Sequence, residues 1–295
     1  MNKLNEFTSP LCSLCPNDCK IDRNKTAGAC GEGSEVKIAK YYLHKFEEPC
    51  ISGEKGSGAV FFCGCSLRCV FCQNYSLSRA ERGKTITVNE LADVFRKLED
   101  MGAANVNLVT PTHYADKIAE ALDIYKPAIP IVYNTHGYEK IEVLKLLDDY
   151  VDVYMPDLKY FSPSVSMRYT GKKDYFDVAI KAIEFMANKP LVFSEDGMMK
   201  SGTLIRHLVL PQNVEDSKNV LLAFSESGLK DRAYINVMSQ YTPFGNTEGF
   251  PELGRKITKR EYATVIDYAI SLGIEKMFYQ KFSSASEEYI PQWDF

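Results

Sequence analysis

The stretch Phe61-Phe62-Cys63-Gly64-Cys65-Ser66-Leu67-Arg68-Cys69-Val70-Phe71-Cys72-Gln73-Asn74 closes an apolar run that begins at Ala59. Three of its cysteines, spaced Cys65-x3-Cys69-x2-Cys72, decide how the chain is read. An iron–sulfur cube takes four ligands, and cysteine thiolates are the usual ones. Three thiolates close together leave one iron open to a small molecule, whereas a fully thiolate-capped cluster only relays electrons. The paired Cys-x2-Cys clips of zinc ribbons have a different spacing. Structural zinc, or a set of buried inert thiols, is the plainer alternative.

The rest of the composition is compatible with that chemistry. All nine cysteines fall before residue 73, an odd number gathered at one end. A secreted disulfide scaffold is shorter and spreads its cysteines through the chain. The formal net charge of −4 argues against a general polyanion-binding surface, so nucleic acid is a poor default partner. No uninterrupted apolar stretch approaches the ~18 residues of a membrane span, and Met1–Pro10 has no apolar signal-peptide core. A cytoplasmic location is therefore expected. A length of 295 residues suits one large α/β domain with a small appendage.

Cys12, Cys15, Cys19 and Cys30 form a second group, with Gly28 and Gly31 beside the last of them. Four thiolates suit structural zinc or a second iron–sulfur cluster equally well. A closed four-ligand site favours a structural role over a catalytic one; holding iron, it could also relay electrons to the first cluster. Cys63 reads as a small buried hydrophobe.

Beyond the Gly-rich Ile51–Gly58 link, strand patterns and amphipathic helix patterns alternate. Strands are predicted at Ala59–Phe62, Asn105–Val109, Ile131–Tyr133, Val151–Met155, Leu204–Leu210, Ala233–Met238 and Lys276–Tyr279. Helices are predicted at Val88–Asp100, Ala115–Leu122, Lys140–Leu147, Asp174–Ala187, Ser217–Ser225 and Lys259–Leu272. Such alternation implies parallel strands joined by right-handed crossovers. The repeats are too few for a complete eight-fold barrel, so an open, partial (β/α)6-type barrel is expected over 59–295. A Cys-rich amino-terminal module and linker would occupy 1–58.

In barrel-like parallel sheets, chemistry gathers at the carboxyl ends of the strands. Polar segments stand at these positions: Thr110–Tyr114, Asn134–Tyr138, Asp157–Tyr160 and Ser239–Pro243, with Arg206-His207 expected to begin the fifth strand. Any one of these segments would pass for a turn, but together they read as the wall of one cavity. His44 is expected in the linker, as a surface or capping residue. His113, His136 and His207 fall near strand ends, where each is either a structural residue or a group that touches substrate. Tyr114, Tyr138 and Tyr241 are candidates for the cavity lining or for simple packing.

The knot ending Phe71-Cys72-Gln73-Asn74, the Asn134-Thr-x-Gly-Tyr138 turn, Asp157-Leu-Lys-Tyr160, the Arg206–Pro211 strand, Cys12-Ser-Leu-Cys-Pro-x-x-Cys19 and Thr110–Tyr114 combine in one pattern. It resembles the radical S-adenosylmethionine (SAM) superfamily, in particular the uncharacterised iron–sulfur proteins related to pyruvate formate-lyase-activating enzymes. The resemblance runs from about Leu11 to Gln280. It implies a partial-barrel core in which Cys65, Cys69 and Cys72 bind a [4Fe–4S] cluster. SAM chelates the fourth iron and is cleaved reductively to a 5′-deoxyadenosyl radical. Phe71 and Gln73 would sit beside the adenine. Asn134, Asp157 and Lys159 would approach the ribose or the methionine carboxylate, and Arg206 would pair with that carboxylate. The resemblance also implies an electron donor such as flavodoxin or ferredoxin, and a partner glycyl-radical enzyme as candidate substrate. The chain departs from the family at the Gly-Gly-Glu segment that holds the SAM amino group in many members. Val109-Thr110-Pro111-Thr112 stands there instead, leaving Thr110 or Thr112 to take over.

Two other functions compete with the activase. One is radical modification of a small molecule or peptide. The other is a non-catalytic zinc or iron–sulfur interaction protein, marked by zinc at both Cys groups and no labile sulfide.

Overall fold

A computed structural model describes residues 6–8 and 10–280. The signal-peptide reading of Met1–Pro10 and the last part of the expected 59–295 barrel therefore lie partly outside the described residues. In chain order the elements are β1 (Val36–His44), α1 (Pro49–Ser52), β2 (Ser57–Phe62), α2 (Tyr75–Ser78), β3 (Lys84–Ile86), α3 (Val88–Asp100), β4 (Val106–Val109), α4 (Ala115–Ile124), β5 (Ile131–Thr135) and α5 (Ile141–Leu147). They continue with β6 (Val153–Pro156), α6 (Pro163–Thr170), α7 (Tyr175–Met186), β7 (Val192–Phe193), β8 (Met199–Leu208), α8 (Val214–Glu226), α9 (Leu229–Arg232), β9 (Tyr234–Met238), α10 (Lys259–Ser271) and β10 (Met277–Tyr279).

The strands β2, β4, β5, β6, β8, β9 and β10 pair in parallel in that spatial order. β1 extends the sheet antiparallel to β2, β3 runs antiparallel to β1, and the path from β10 to β3 does not close on itself. This is the open α/β barrel that the alternation predicts. The domain boundary expected between 58 and 59 falls inside β2, because β1 belongs to the same sheet.

Strand side chains alternate between two faces, and the two faces differ sharply here. One face packs under the helices: Val60 and Phe62 lie in one core with Leu91, Phe95 and Leu98 of α3. Tyr133, Tyr154, Ile205, Ile235 and Val237 lie in another with the later helices. The opposite face looks into the barrel. Its lower part is apolar, where Val132, Val153, Met155, Met199 and Leu204 pack on Cys50 and Ile51 of α1. The link before β2 is therefore a plug: residues 49–52 fill the barrel interior rather than spacing two modules. Above the plug the inward positions turn polar.

α3 shows why the helix boundaries are sharp. Leu91, Val94, Phe95 and Leu98 form its buried face, and Thr87 and Glu90 close a reciprocal capping box at its start; such a cap contributes about 1 kcal/mol. Thr258 and Glu261 repeat the device on α10.

Candidate active site

The cysteine knot follows β2 directly. Gly64 bridges strand and knot at φ +80°, and a Cβ there would stand 2.6 Å from Glu32 Cγ and 2.9 Å from the Cys30 carbonyl oxygen. Only glycine fits. Cys65 Sγ accepts from the amides of Leu67 (3.4 Å) and Arg68 (3.5 Å), and Tyr160 Oη donates to Cys69 Sγ at 3.8 Å. Burial pushes the Cys65 thiol up to about 12 and the Cys69 thiol up to about 11, the latter partly offset by Lys159. Cys72 is raised too, again by burial and against the pull of the Asn74 amide and Lys159. Two buried thiols and the half-buried Cys72 are therefore held for something that displaces their protons and supplies positive charge, as metal binding does.

Cys65, Cys69 and Cys72 open into a cavity of about 550 Å³, which Phe71, Gln73, Thr110, Asn134, Asp157, Lys159 and Arg206 also line. The fold thus brings together all the residues expected there. Phe71 is fixed by edge-on contacts with Tyr169 and Tyr241, ring centres 5.8 and 5.7 Å apart. Lys159 Nζ donates to Asp157 Oδ2 at 2.5 Å. Burial lowers the Lys159 pKa, but Asp157 and Cys69 outweigh it, so the ammonium keeps its proton.

Several expected placements change. Arg206-His207 lies in the later half of β8, not at its start, because the strand begins at Met199. Arg206 reaches the cavity, but its guanidinium is already engaged: Nε donates to Glu48 Oε1 at 3.0 Å, and Nη2 donates to Glu48 Oε2 at 3.1 Å and to Glu47 Oε2. Thr112 is fully buried and its hydroxyl donates to Glu139 at 2.5 Å. Of the two threonines weighed for the SAM amino group, Thr110 is the one that faces the cavity.

The histidines also separate. His44 is not a surface cap; it ends β1, meets the Tyr42 hydroxyl at 3.1 Å and lines the cavity. His113 Nε2 bonds the Cys63 carbonyl at 2.6 Å and His207 Nδ1 bonds the Leu158 carbonyl at 2.7 Å, both structural placements. His136 faces the cavity with Nε2 on Ser66 Oγ at 2.7 Å; burial first, then Lys159, lowers its pKa to about 3, so it is neutral. Tyr241 lines the cavity, whereas Tyr114 is fully buried and Tyr138 donates to Asp174. Cys63 is fully buried, with Sγ on the Arg82 carbonyl at 2.9 Å.

Sequence reasoning missed Glu47, Glu48 and Asn236, which line the same cavity, and Asn107 behind Glu47. A usable signal existed for the asparagines. Each interrupts a buried apolar parallel strand, Val-Asn-Leu-Val and Tyr-Ile-Asn-Val-Met, where asparagine is disfavoured without a polar task.

The amino-terminal cysteines lie against the knot. The Cys65 amide donates to the Cys30 carbonyl at 3.0 Å, and Asn17 Nδ2 donates to the Ser66 carbonyl at 2.7 Å. The Cys30 and Cys19 sulfurs stand 3.5 and 3.6 Å from the point a Gly28 Cβ would occupy. Burial pushes the Cys15 thiol up to about 12, with Cys30 and Cys12 adding to the rise. All nine cysteines are free thiols. Among the described residues, no three His, Cys, Asp or Glu side chains stand close enough to cage a single ion, and no helix is long and apolar enough to cross a membrane.

Comparison with known proteins bears on the family and the fold. The family model of the Radical SAM superfamily matches residues 59–217, more than half of the chain. An uncharacterised protein of Methanocaldococcus jannaschii is 29% identical over 90% of this chain and 76% of its own length. The pyruvate formate-lyase-activating enzyme of Clostridium pasteurianum is 27% identical over 55% of this chain and 65% of that enzyme. Among solved structures, Streptococcus suis SuiB bound to the precursor peptide SuiA superposes with a TM-score of 0.52 at 17% identity. That match covers 75% of this chain and 48% of SuiB, a likeness of fold alone.

Proposed function

Because the chain belongs to the Radical SAM superfamily, we propose that Cys65, Cys69 and Cys72 hold its [4Fe–4S] cluster and that the adjoining cavity holds SAM. When bound, that pair supplies one chemistry: one-electron cleavage of a carbon–sulfur bond, giving methionine and a 5′-deoxyadenosyl radical that abstracts a hydrogen atom. The observation that carries the reading is one cavity shared by the three thiols and a ring of polar residues from successive strand ends. Amide and hydroxyl donors already aim at the sulfurs, as a thiolate-bound cluster needs.

The chain's own residues do the binding and shielding. Phe71 offers an aromatic face held rigid by Tyr169 and Tyr241, and Gln73 a carboxamide, for the adenine. Asn134, Asp157 and Lys159 supply acceptors and donors for hydroxyl and carboxylate groups. Thr110, with φ +62°, turns the chain so that its polar groups are candidates for the SAM amino group. Arg206 takes a different part from the one the resemblance implies, since its guanidinium holds Glu47 and Glu48 in place. We propose Cys12, Cys15, Cys19 and Cys30 as ligands of a second metal, zinc or iron–sulfur, around which they would have to draw closer than they stand here; the Cys30 carbonyl accepts from the backbone amide of Cys65.

Anaerobic reconstitution with iron and sulfide, reduction, addition of SAM and chromatography test the proposal. 5′-Deoxyadenosine is expected; its absence from well-loaded protein ends the reading. Activation of a glycyl-radical enzyme is the substrate-level version, motivated by the partial likeness to an activating enzyme. An electron paramagnetic resonance signal transferred to such a partner supports it, and no transfer to any partner encoded in the same genome removes it. Flavodoxin or ferredoxin would supply the electron.

A further inference from the structure

We propose that Glu47, Glu48 and Asn236, which line the same cavity as the cysteine knot, form a recognition subsite for a primary ammonium group of the substrate. The inference rests on the radical SAM reading and adds a substrate class to it.

The subsite is built by the plug. The chain leaves β1 at His44, crosses the barrel interior and enters α1 at Pro49, which sets Glu47 and Glu48 above the apolar packing of Cys50 and Ile51. Both carboxylates line the cavity, and their side chains are only 10% and 5% exposed. The single guanidinium of Arg206 bridges them. Asn107 Nδ2 donates to Glu47 Oε1 at 2.9 Å and Asn236 Nδ2 to Glu48 Oε1 at 2.7 Å. Two carboxylates against one guanidinium leave one net negative charge in a buried place, where an uncompensated charge is costly.

Among the described residues, the neighbouring groups do not cancel that charge. Burial lowers the His44 pKa, so this imidazole is neutral. Lys45 is exposed at the rim, in solvent. Lys159 is held by Asp157 and lies near Cys69 and Cys72. The backbones of Asp157 and Arg206 are bridged in parallel across neighbouring strands, and the Asp157 carboxylate is already taken up by Lys159.

A second, independent observation identifies the missing partner as a donor. Asn236 is 5% exposed and lines the cavity, yet its Oδ1 has no hydrogen-bond partner among the described residues. Its amide cannot be turned round, because a carboxylate accepts and never donates, so the nitrogen must face Glu48. Asn107 Oδ1, fully buried, is left in the same condition for the same reason. A negative site with an unfilled acceptor calls for a cationic donor. An alkylammonium supplies one charge and three N–H bonds; a carboxylate or phosphate would be repelled, and an alcohol would leave the charge in place.

The test uses the full-length, anaerobically reconstituted protein and three probes of matched length: n-butylamine, n-butanol and butyrate. Saturation-transfer NMR measures their binding with and without SAM. The amine is expected to bind at least tenfold more tightly than the alcohol, with butyrate not binding. Its affinity should be unchanged by saturating SAM and fall about tenfold in Glu47→Gln. Equal binding of amine and alcohol, or a preference for butyrate, overturns the proposal without recourse to any variant. Competition between amine and SAM also overturns it, by assigning the carboxylates to the ammonium of SAM itself. Failure of the wild-type protein to form 5′-deoxyadenosine, with amine selectivity intact, would strike the radical SAM reading instead.

Discussion

Arg206→Met removes the cation that bridges Glu47 and Glu48 while keeping much of the side-chain volume. Breaking a buried ion pair by deleting one partner costs about 3–5 kcal/mol, since the other charge stays buried and uncompensated. Here two carboxylates are left facing each other, so a loss of at least about 3 kcal/mol is expected near pH 7.5. For a chain of this size that is a fall of roughly 6 °C or more in Tm. The pH dependence has a definite sign. In the wild type, Arg206 overcomes the effect of burial and holds the Glu48 pKa below its ordinary value of 4.5. Its stabilisation is therefore present above that value and lost as pH falls through the depressed one. Without Arg206, burial dominates and raises the pKa. The variant's deficit should then be greatest at pH 7.5 and shrink toward pH 5 as Glu48 takes up a proton. Urea unfolding followed by circular dichroism at both pH values measures this. Arg168→Met is the control: its bridge to Glu252 is 46% exposed on the arginine side, and its loss should stay under about 1 kcal/mol. A deficit below about 1 kcal/mol for Arg206→Met, or one that does not change with pH, would show that the carboxylates are not held as described.

Other substitutions probe the knot and its supports. Cys65→Ala should abolish 5′-deoxyadenosine formation, and wild-type product from that variant would refute its assignment as a cluster ligand. Cys12→Ala should chiefly reduce folding yield, because Cys12 is buried and its backbone bonds Ile21 and Lys20; unchanged stability with lost turnover would instead favour electron relay. Gly64→Ala should cost about 1–3 kcal/mol from its positive φ alone, and more from the clash with the Cys30 carbonyl, read as a lower melting temperature and lower iron content. Burial raises Glu139 to about 7 from 4.5, against the hydrogen bonds of Thr112 and Thr135. A raised carboxyl favours the fold below pH 4.5 and loses that advantage as pH rises through 7, a change of roughly 3 kcal/mol. Relative to Glu139→Gln, the wild type should therefore lose stability between pH 5 and pH 8; parallel profiles would contradict the burial argument.

The elements visible in the sequence were those whose local signals agree. α3 falls on Val88–Asp100 as expected because its apolar spacing and its Thr87–Glu90 box point to the same boundaries. β1 does not stand out in the sequence because it lies outside the parallel strand–helix repeat, paired antiparallel to β2 and β3. β8 begins at Met199, ahead of the Leu204 that its pattern predicts, because Lys200, Ser201 and Gly202 break its apolar run. The cavity wall was legible where polar residues follow a strand, as at Asn134 and Asp157. It was illegible where the polar residue comes from elsewhere in the chain. Nothing in Phe46-Glu47-Glu48-Pro49 marks those carboxylates as buried; their place depends on Arg206 and Asn236, well over a hundred positions away. The Arg206 assignment differs for the same reason, since its partners are set by tertiary packing.

Mössbauer spectroscopy of protein reconstituted with 57Fe and sulfide reports most directly on the central claim. The account predicts a [4Fe–4S] signal in which one iron subsite changes on addition of SAM while the three thiolate-bound irons do not. Zinc without labile sulfide, or a cluster whose irons all ignore SAM, would contradict it.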